Sequence, residues 1–62
     1  MLKEDAKHEA LRLWLSLSPE ERRTDRQAAE FAMLIHRRFD FRVAGDPYQI
    51  VKGWLQQNLS QA

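Results

Sequence analysis

The chain has 62 residues, no cysteine, and ten Lys or Arg against nine Asp or Glu, for a net charge of +1. A chain this short makes one small domain, buries only about 60% of the surface its unfolded form exposes, and rarely gains more than roughly 3–5 kcal/mol of net stability from its single core. Without cysteine, disulfides and thiolate zinc sites are excluded, and no apolar run is long enough to span a membrane. The mixed-charge start Met1-Leu2-Lys3-Glu4-Asp5 lacks the basic-then-apolar order of a signal peptide, so a cytoplasmic location is expected.

The first helix is expected at about residues 3–17. Ala6, Ala10, Leu13, Trp14 and Leu17 recur at i+3/i+4 spacing and form an apolar stripe, which Leu11 and Leu15 widen. So broad an arc needs more than one neighbour to cover it. The segment Ser18-Pro19-Glu20-Glu21 then reads as a helix start, with Ser18 as cap, Pro19 at the first position and Glu21 completing a capping box. Thr24-Asp25-Arg26-Gln27 offers a second box three residues on. The spacing predicts a separate helical turn at 19–23 and a fresh start at Thr24, with one continuous helix from Pro19 as the alternative.

The second main helix is expected at about residues 25–38, burying Ala28, Phe31, Ala32, Ile35 and Phe39. Its stretch Phe31-Ala32-Met33-Leu34-Ile35 is apolar all round, which predicts a place at the centre of the core. Residues 39–45 alternate apolar and polar at Phe39, Phe41 and Val43. With no partner strand in so short a chain, this reads as an extended loop in which Phe41 and Val43 fold back as a lid. A strand pairing across a dimer is the competing reading. The third helix is expected at about 46–59, started by Gly45, the cap Asp46 and Pro47, and burying Ile50, Val51, Trp54, Leu55 and Leu59. The whole is one all-α domain over residues 1–62, a compact bundle of three main helices with Trp14, Phe31 and Trp54 as its bulky elements. Residues 60–62 are expected to fray.

Little in the chain suits catalysis. Nucleophilic chemistry needs a nucleophile, a base and an orienting group. The serines stand only at 16, 18 and 60, and Ser18 is used as a cap. His8 with Glu4 reads as a surface i,i+4 pair, and His36 as a histidine at the edge of the buried face. The two histidines lie far apart, so no metal site is expected. The only glycines, Gly45 and Gly53, form no phosphate-cradling loop. No enzymatic activity, cofactor or small-molecule substrate is expected.

The charge distribution is more informative. Residues 1–21 carry −2, residues 22–42 carry +3 and residues 43–62 balance, so the positive excess is all arginine in the middle third. Arginine recognises carboxylates and phosphates bidentately. Arg22, Arg23 and Arg26 precede or open the second helix; Arg37, Arg38 and Arg42 close it. Each has a structural explanation as well. Arg26 can pair with Glu30 one turn on, and Arg37 and Arg38 suit a helix C-terminus. Met33 falls among Arg26, Glu30 and Arg37 on the nominally polar side, a composition common in protein-binding patches. Burial of Met33 under the 19–23 segment is the alternative.

The expected function is therefore a small non-catalytic, regulatory interaction module that binds a protein partner or itself. The expected contact residues are Arg22, Arg23, Arg26, Met33, Arg37, Arg38, Phe41 and Arg42. A nucleic-acid-binding helical domain using the arginines of residues 22–42 is the alternative. It fits less well, because Met33 would stand where a helix-turn-helix places its turn glycine, and the last helix carries only Lys52 as a base.

Overall fold

The computed structural model describes residues 2–39 and 45–61. Three helices order the chain: α1 (Lys3–Leu15), α2 (Asp25–Ile35) and α3 (Pro47–Gln56). Single 3-10 turns at Pro19–Arg22 and His36–Arg38 precede and follow α2. The all-α, three-helix reading holds, with the extra turn where it was expected. The 39–45 loop, its Phe41 and Val43 lid and the competing strand fall mostly on residues outside those described. Of that segment Phe39 is buried and extended, and Gly45 takes φ +127°, a conformation that favours glycine. Among the described residues no helix is long and apolar enough to cross a membrane.

The helices end earlier than their apolar periodicity, each for a local reason. After α1 the Ser16 hydroxyl donates to the Leu13 carbonyl at 2.6 Å, and Leu17 N–H bonds back only three residues, to Trp14. These tighter bonds close the helix at Leu15 rather than Leu17. At the end of α2 the His36 Nδ1 lies 3.0 Å from the Ala32 carbonyl and 3.1 Å from that of Met33. Carbonyls only accept, so Nδ1 carries the proton and His36 caps the helix end. After α3 the Asn58 amide donates to the Trp54 carbonyl at 2.9 Å. Ser60, expected in a frayed tail, is tied instead: its N–H donates to the Arg22 carbonyl at 2.7 Å.

Only one of the two expected capping boxes forms. Thr24 Oγ1 accepts from Gln27 N–H at 3.1 Å, and Gln27 Oε1 accepts from Thr24 N–H at 3.0 Å. The other end of that amide donates to the Glu20 carbonyl at 2.7 Å, so Gln27 fastens the first 3-10 turn to α2. At Ser18 the box is absent. The Glu21 N–H is already spent on the Ser18 carbonyl, the i→i+3 bond of a 3-10 turn, and the Ser18 hydroxyl donates to the Glu21 carboxylate instead. Asp46 caps α3 as expected, accepting from Tyr48 N–H at 3.0 Å, with Pro47 in the first position.

The core is Ala6, Ala10 and Trp14 of α1, Ala28, Ala32 and Ile35 of α2, Phe39, and Val51, Trp54 and Leu55 of α3. Helix α3 packs on both other helices, most extensively on α2. The alanines sit one turn apart on α1 and on α2, and small residues let helix backbones approach closely. Between α1 and α2 the larger side chains fill the gap, with the Trp14 and Phe31 rings 5.5 Å apart and tilted by 46°. Phe31 is only half-buried, at the margin of the core rather than in it. One further expectation fails here: Met33 and Leu34 are exposed, so the middle of α2 is not apolar because it is enclosed. Leu15 is 52% exposed, so part of the wide α1 arc is left to solvent.

Two substitutions test these local devices in opposite directions. Thr24→Ala removes the box that joins the 3-10 turn to α2 and is expected to cost about 1 kcal/mol, read as a lower urea midpoint. Gly53 lies inside α3, and a Cβ there would meet no heavy atom of another segment within 4 Å. Gly53→Ala is therefore expected to raise stability by about 0.5–1 kcal/mol, a thermal midpoint several degrees higher.

Candidate interaction surface

The outer face of α2 gathers the exposed apolar side chains. Leu34 is 73% exposed and Met33 52% exposed. Leu34 stands between open hollows that share it as a wall. One is lined also by Leu17, Glu21, Gln27, Glu30 and Phe31. A second has Leu13, Ser16, Leu17, Phe31, Ile35 and Arg38. A third, on the other flank, has Ala29, Glu30, Met33 and Tyr48. The Tyr48 ring is held from the far side by His36, edge-on at 5.8 Å, and by the Lys52 ammonium 5.4 Å from its centroid. A ridge of leucine with an apolar trough on each side thus runs along α2, and it is bordered by Glu30, Glu21 and Arg38.

Helix geometry explains this layout. Ala28, Ala32 and Ile35 occupy one side of α2 and take the core. At about 100° per residue, Leu34 lies well over 90° from the centre of that stripe. Its neighbours one turn away are Glu30, Phe31, Arg37 and Arg38. It belongs to the polar side by position and to the apolar class by chemistry. The alternative of Met33 sheltering under the 19–23 segment does not hold, since Met33 faces solvent beside Tyr48.

The expected contact residues do not form one cluster. Arg22 is half-buried, and its Nε donates to the Leu17 carbonyl at 3.1 Å, which fastens the first 3-10 turn to the end of α1. That bond gives it a structural task. Arg23 is exposed on the same connection, and its backbone N–H donates to Gln27 Oε1 at 2.8 Å. Arg26 is exposed and pairs with Glu30 at 3.0 Å, the expected i,i+4 contact. Arg37 and Arg38 are exposed on the turn after α2, and Arg38 reaches the hollow beside Leu34. Phe41 and Arg42 lie outside the described residues. The structure therefore brings Met33 and Arg38 to one surface and separates Arg22 from it.

Sequence reasoning missed Leu34, Phe31, Leu17, Tyr48 and Glu30 as members of this surface. The signal for Leu34 was available. A leucine whose partners at i−4, i+3 and i+4 are Glu30, Arg37 and Arg38 does not point into a core. Among the described residues no three His, Asp or Glu side chains gather as metal ligands, and no buried side chain is polar or charged. The surface offers shape, apolar area and a charged rim.

Neither a protein-family model, nor a curated protein, nor a solved structure matches the chain. The fold and the surface define a class only: a small all-α domain of three helices with an uncovered apolar helix face.

The division of α2 into two faces is open to a direct check. Leu34→Ser is expected to change stability by no more than about 0.5 kcal/mol, the usual range for an exposed position. Ile35→Ala, one residue on, is expected to cost about 2–5 kcal/mol because it empties buried volume. Urea unfolding of the two variants separates them; similar losses in both would place Leu34 inside the core.

Proposed function

We propose that this chain is a non-catalytic interaction module that binds a protein surface, its own or another's, through the outer face of α2. The observation that carries this reading is Leu34 at 73% exposure with Met33 at 52% on the same helix, above hollows floored by Phe31, Leu17 and Ala29. Single exposed apolar residues need no explanation, but a contiguous group with a charged rim is the composition of a binding patch. Leucine and methionine also lose exposed area on contact without leaving a buried polar atom unsatisfied. The core gives a second motive. Its fully buried side chains above alanine in size are Trp14, Leu55 and Val51, so a partner covering α2 would add apolar burial to a domain that has little.

The nucleic-acid reading draws less support from the same geometry. Phosphate contacts need several cations on one face. Here Arg22 is bound to a carbonyl and Arg26 to Glu30, Glu20 and Glu21 stand directly before the first arginine group, and Glu30 lies between it and the second.

The test is retention of partners from a lysate, with and without nuclease, by the immobilised chain and by its Leu34→Glu variant, together with the sedimentation behaviour of both. A nuclease-resistant protein partner or self-association, lost in Leu34→Glu, is the expected result. No retained protein and no self-association would overturn the proposal. So would nuclease-sensitive retention that falls with Arg37→Ala and Arg38→Ala and ignores Leu34→Glu.

A further inference from the structure

The charges around Leu34 have an arrangement that is complementary to itself. Glu30 lies one turn before Leu34 and Arg38 one turn after it. Both are exposed, and both border hollows that Leu34 walls. On a helical wheel they fall about 40° from Leu34 on opposite sides, although the 3-10 turn shifts Arg38 somewhat from the α-helical position. A half-turn about an axis that lies in the contact plane at Leu34, perpendicular to the line from Glu30 to Arg38, sets a second copy face to face with the first and exchanges the two ends of that line. Glu30 then meets Arg38 of the partner subunit, and Arg38 meets the partner subunit's Glu30. Leu34 meets itself on the axis, with the half-buried Phe31 rings beside it.

We infer that the apolar face of α2 takes a second copy of this chain, the two α2 helices crossing obliquely rather than running strictly antiparallel, across a two-fold axis at Leu34. The inference rests on the proposed interaction surface and names its occupant. A specific interface takes about 800 Å² from each partner, roughly a fifth of the 4406 Å² this chain exposes, so contact centred on Leu34 extends to its charged rim. Whatever covers Leu34 must therefore meet an acid on one side and a base on the other. A two-fold contact is isologous and needs a patch that complements itself. A half-turn about the line from Glu30 to Arg38 itself would set Glu30 against glutamate and Arg38 against arginine, which like-charge repulsion disfavours. The bond from Arg26 to Glu30 at 3.0 Å is compatible with this. A carboxylate has lone pairs for two cations, and Arg26 lies on the far side of Glu30 from Leu34 on the wheel.

Rim charges set register more than affinity, and that makes the register testable. Sedimentation equilibrium from micromolar to millimolar chain is expected to show the mass rise towards twice 7.4 kDa. Leu34→Ser should hold it at the single-chain value. Glu30→Arg alone and Arg38→Glu alone each set like charges together twice and should weaken association by about tenfold or more. An equimolar mixture of these two variants places opposite charges at both contacts and should associate again, as a heterodimer. Circular dichroism identifies any variant that fails to fold. Leu34→Ser and Arg38→Glu carry the test if Glu30→Arg is lost with its contact to Arg26.

A wild-type chain that stays at single-chain mass overturns the inference, as does association that both charge reversals leave unchanged, or a mixture that regains nothing. If the chain is monomeric and still captures a protein in a Leu34-dependent way, the second copy is excluded and the interaction surface stands. If it is monomeric and captures nothing, both fall.

Discussion

The fold depends on one side chain, Trp14. It is fully buried, and the other buried side chains of α1 and α2 are four alanines, Ala6, Ala10, Ala28 and Ala32, and Ile35. Its ring fills the space beside Phe31, and its indole N–H donates to the Asn58 carbonyl at 3.0 Å. That bond matters because an enclosed N–H without an acceptor costs about 1–3 kcal/mol. It also fixes where the chain after α3 must lie. From there Asn58 reaches the Trp54 carbonyl, Ser60 the Arg22 carbonyl, and Arg22 the Leu17 carbonyl. The end of α1, the first 3-10 turn and the segment after α3 are one hydrogen-bonded patch built around a single indole.

That patch accounts for the shape of the rest. With Trp14 supplying the volume, α1 and α2 offer alanines towards α3, and α3 settles against both. Helix α2 then buries only a narrow stripe of Ala28, Ala32 and Ile35. Its opposite side has no element of the described chain to cover it. The apolar residues there are not a defect in the core, since the core is complete without them and no buried polar side chain lacks a partner among the described residues.

The fold was legible in the sequence where local chemistry decides it. Thr24 and Gln27 stand at capping-box spacing in front of a helical pattern, and they form the box. Asp46 and Pro47 start α3 in the same way. Ser18 and Glu21 have the same spacing and do not form one, because a 3-10 turn uses the N–H that the box requires; spacing alone does not distinguish the two kinds of turn. The surface was half legible. Met33 stood out on the polar side by its angle. Leu34 was masked by the run of five apolar residues it sits in, although its partners one turn away, Glu30, Arg37 and Arg38, mark the polar side. Arg22 has a structural bond that the sequence did not announce. Its partner is a backbone carbonyl, and carbonyls leave no mark in the residue types.

The bond from Trp14 to Asn58 joins residues 44 positions apart. During synthesis, α1 leaves the ribosome with a large apolar ring and no acceptor for its indole. It waits until the chain through Asn58 is out, which at typical elongation rates of roughly 5–20 residues per second takes a few seconds. Over that interval the indole N–H has only water as its partner, and a helix of 13 residues on its own is marginal in water. The first helix made thus gains its long-range hydrogen bond only when the chain is nearly finished.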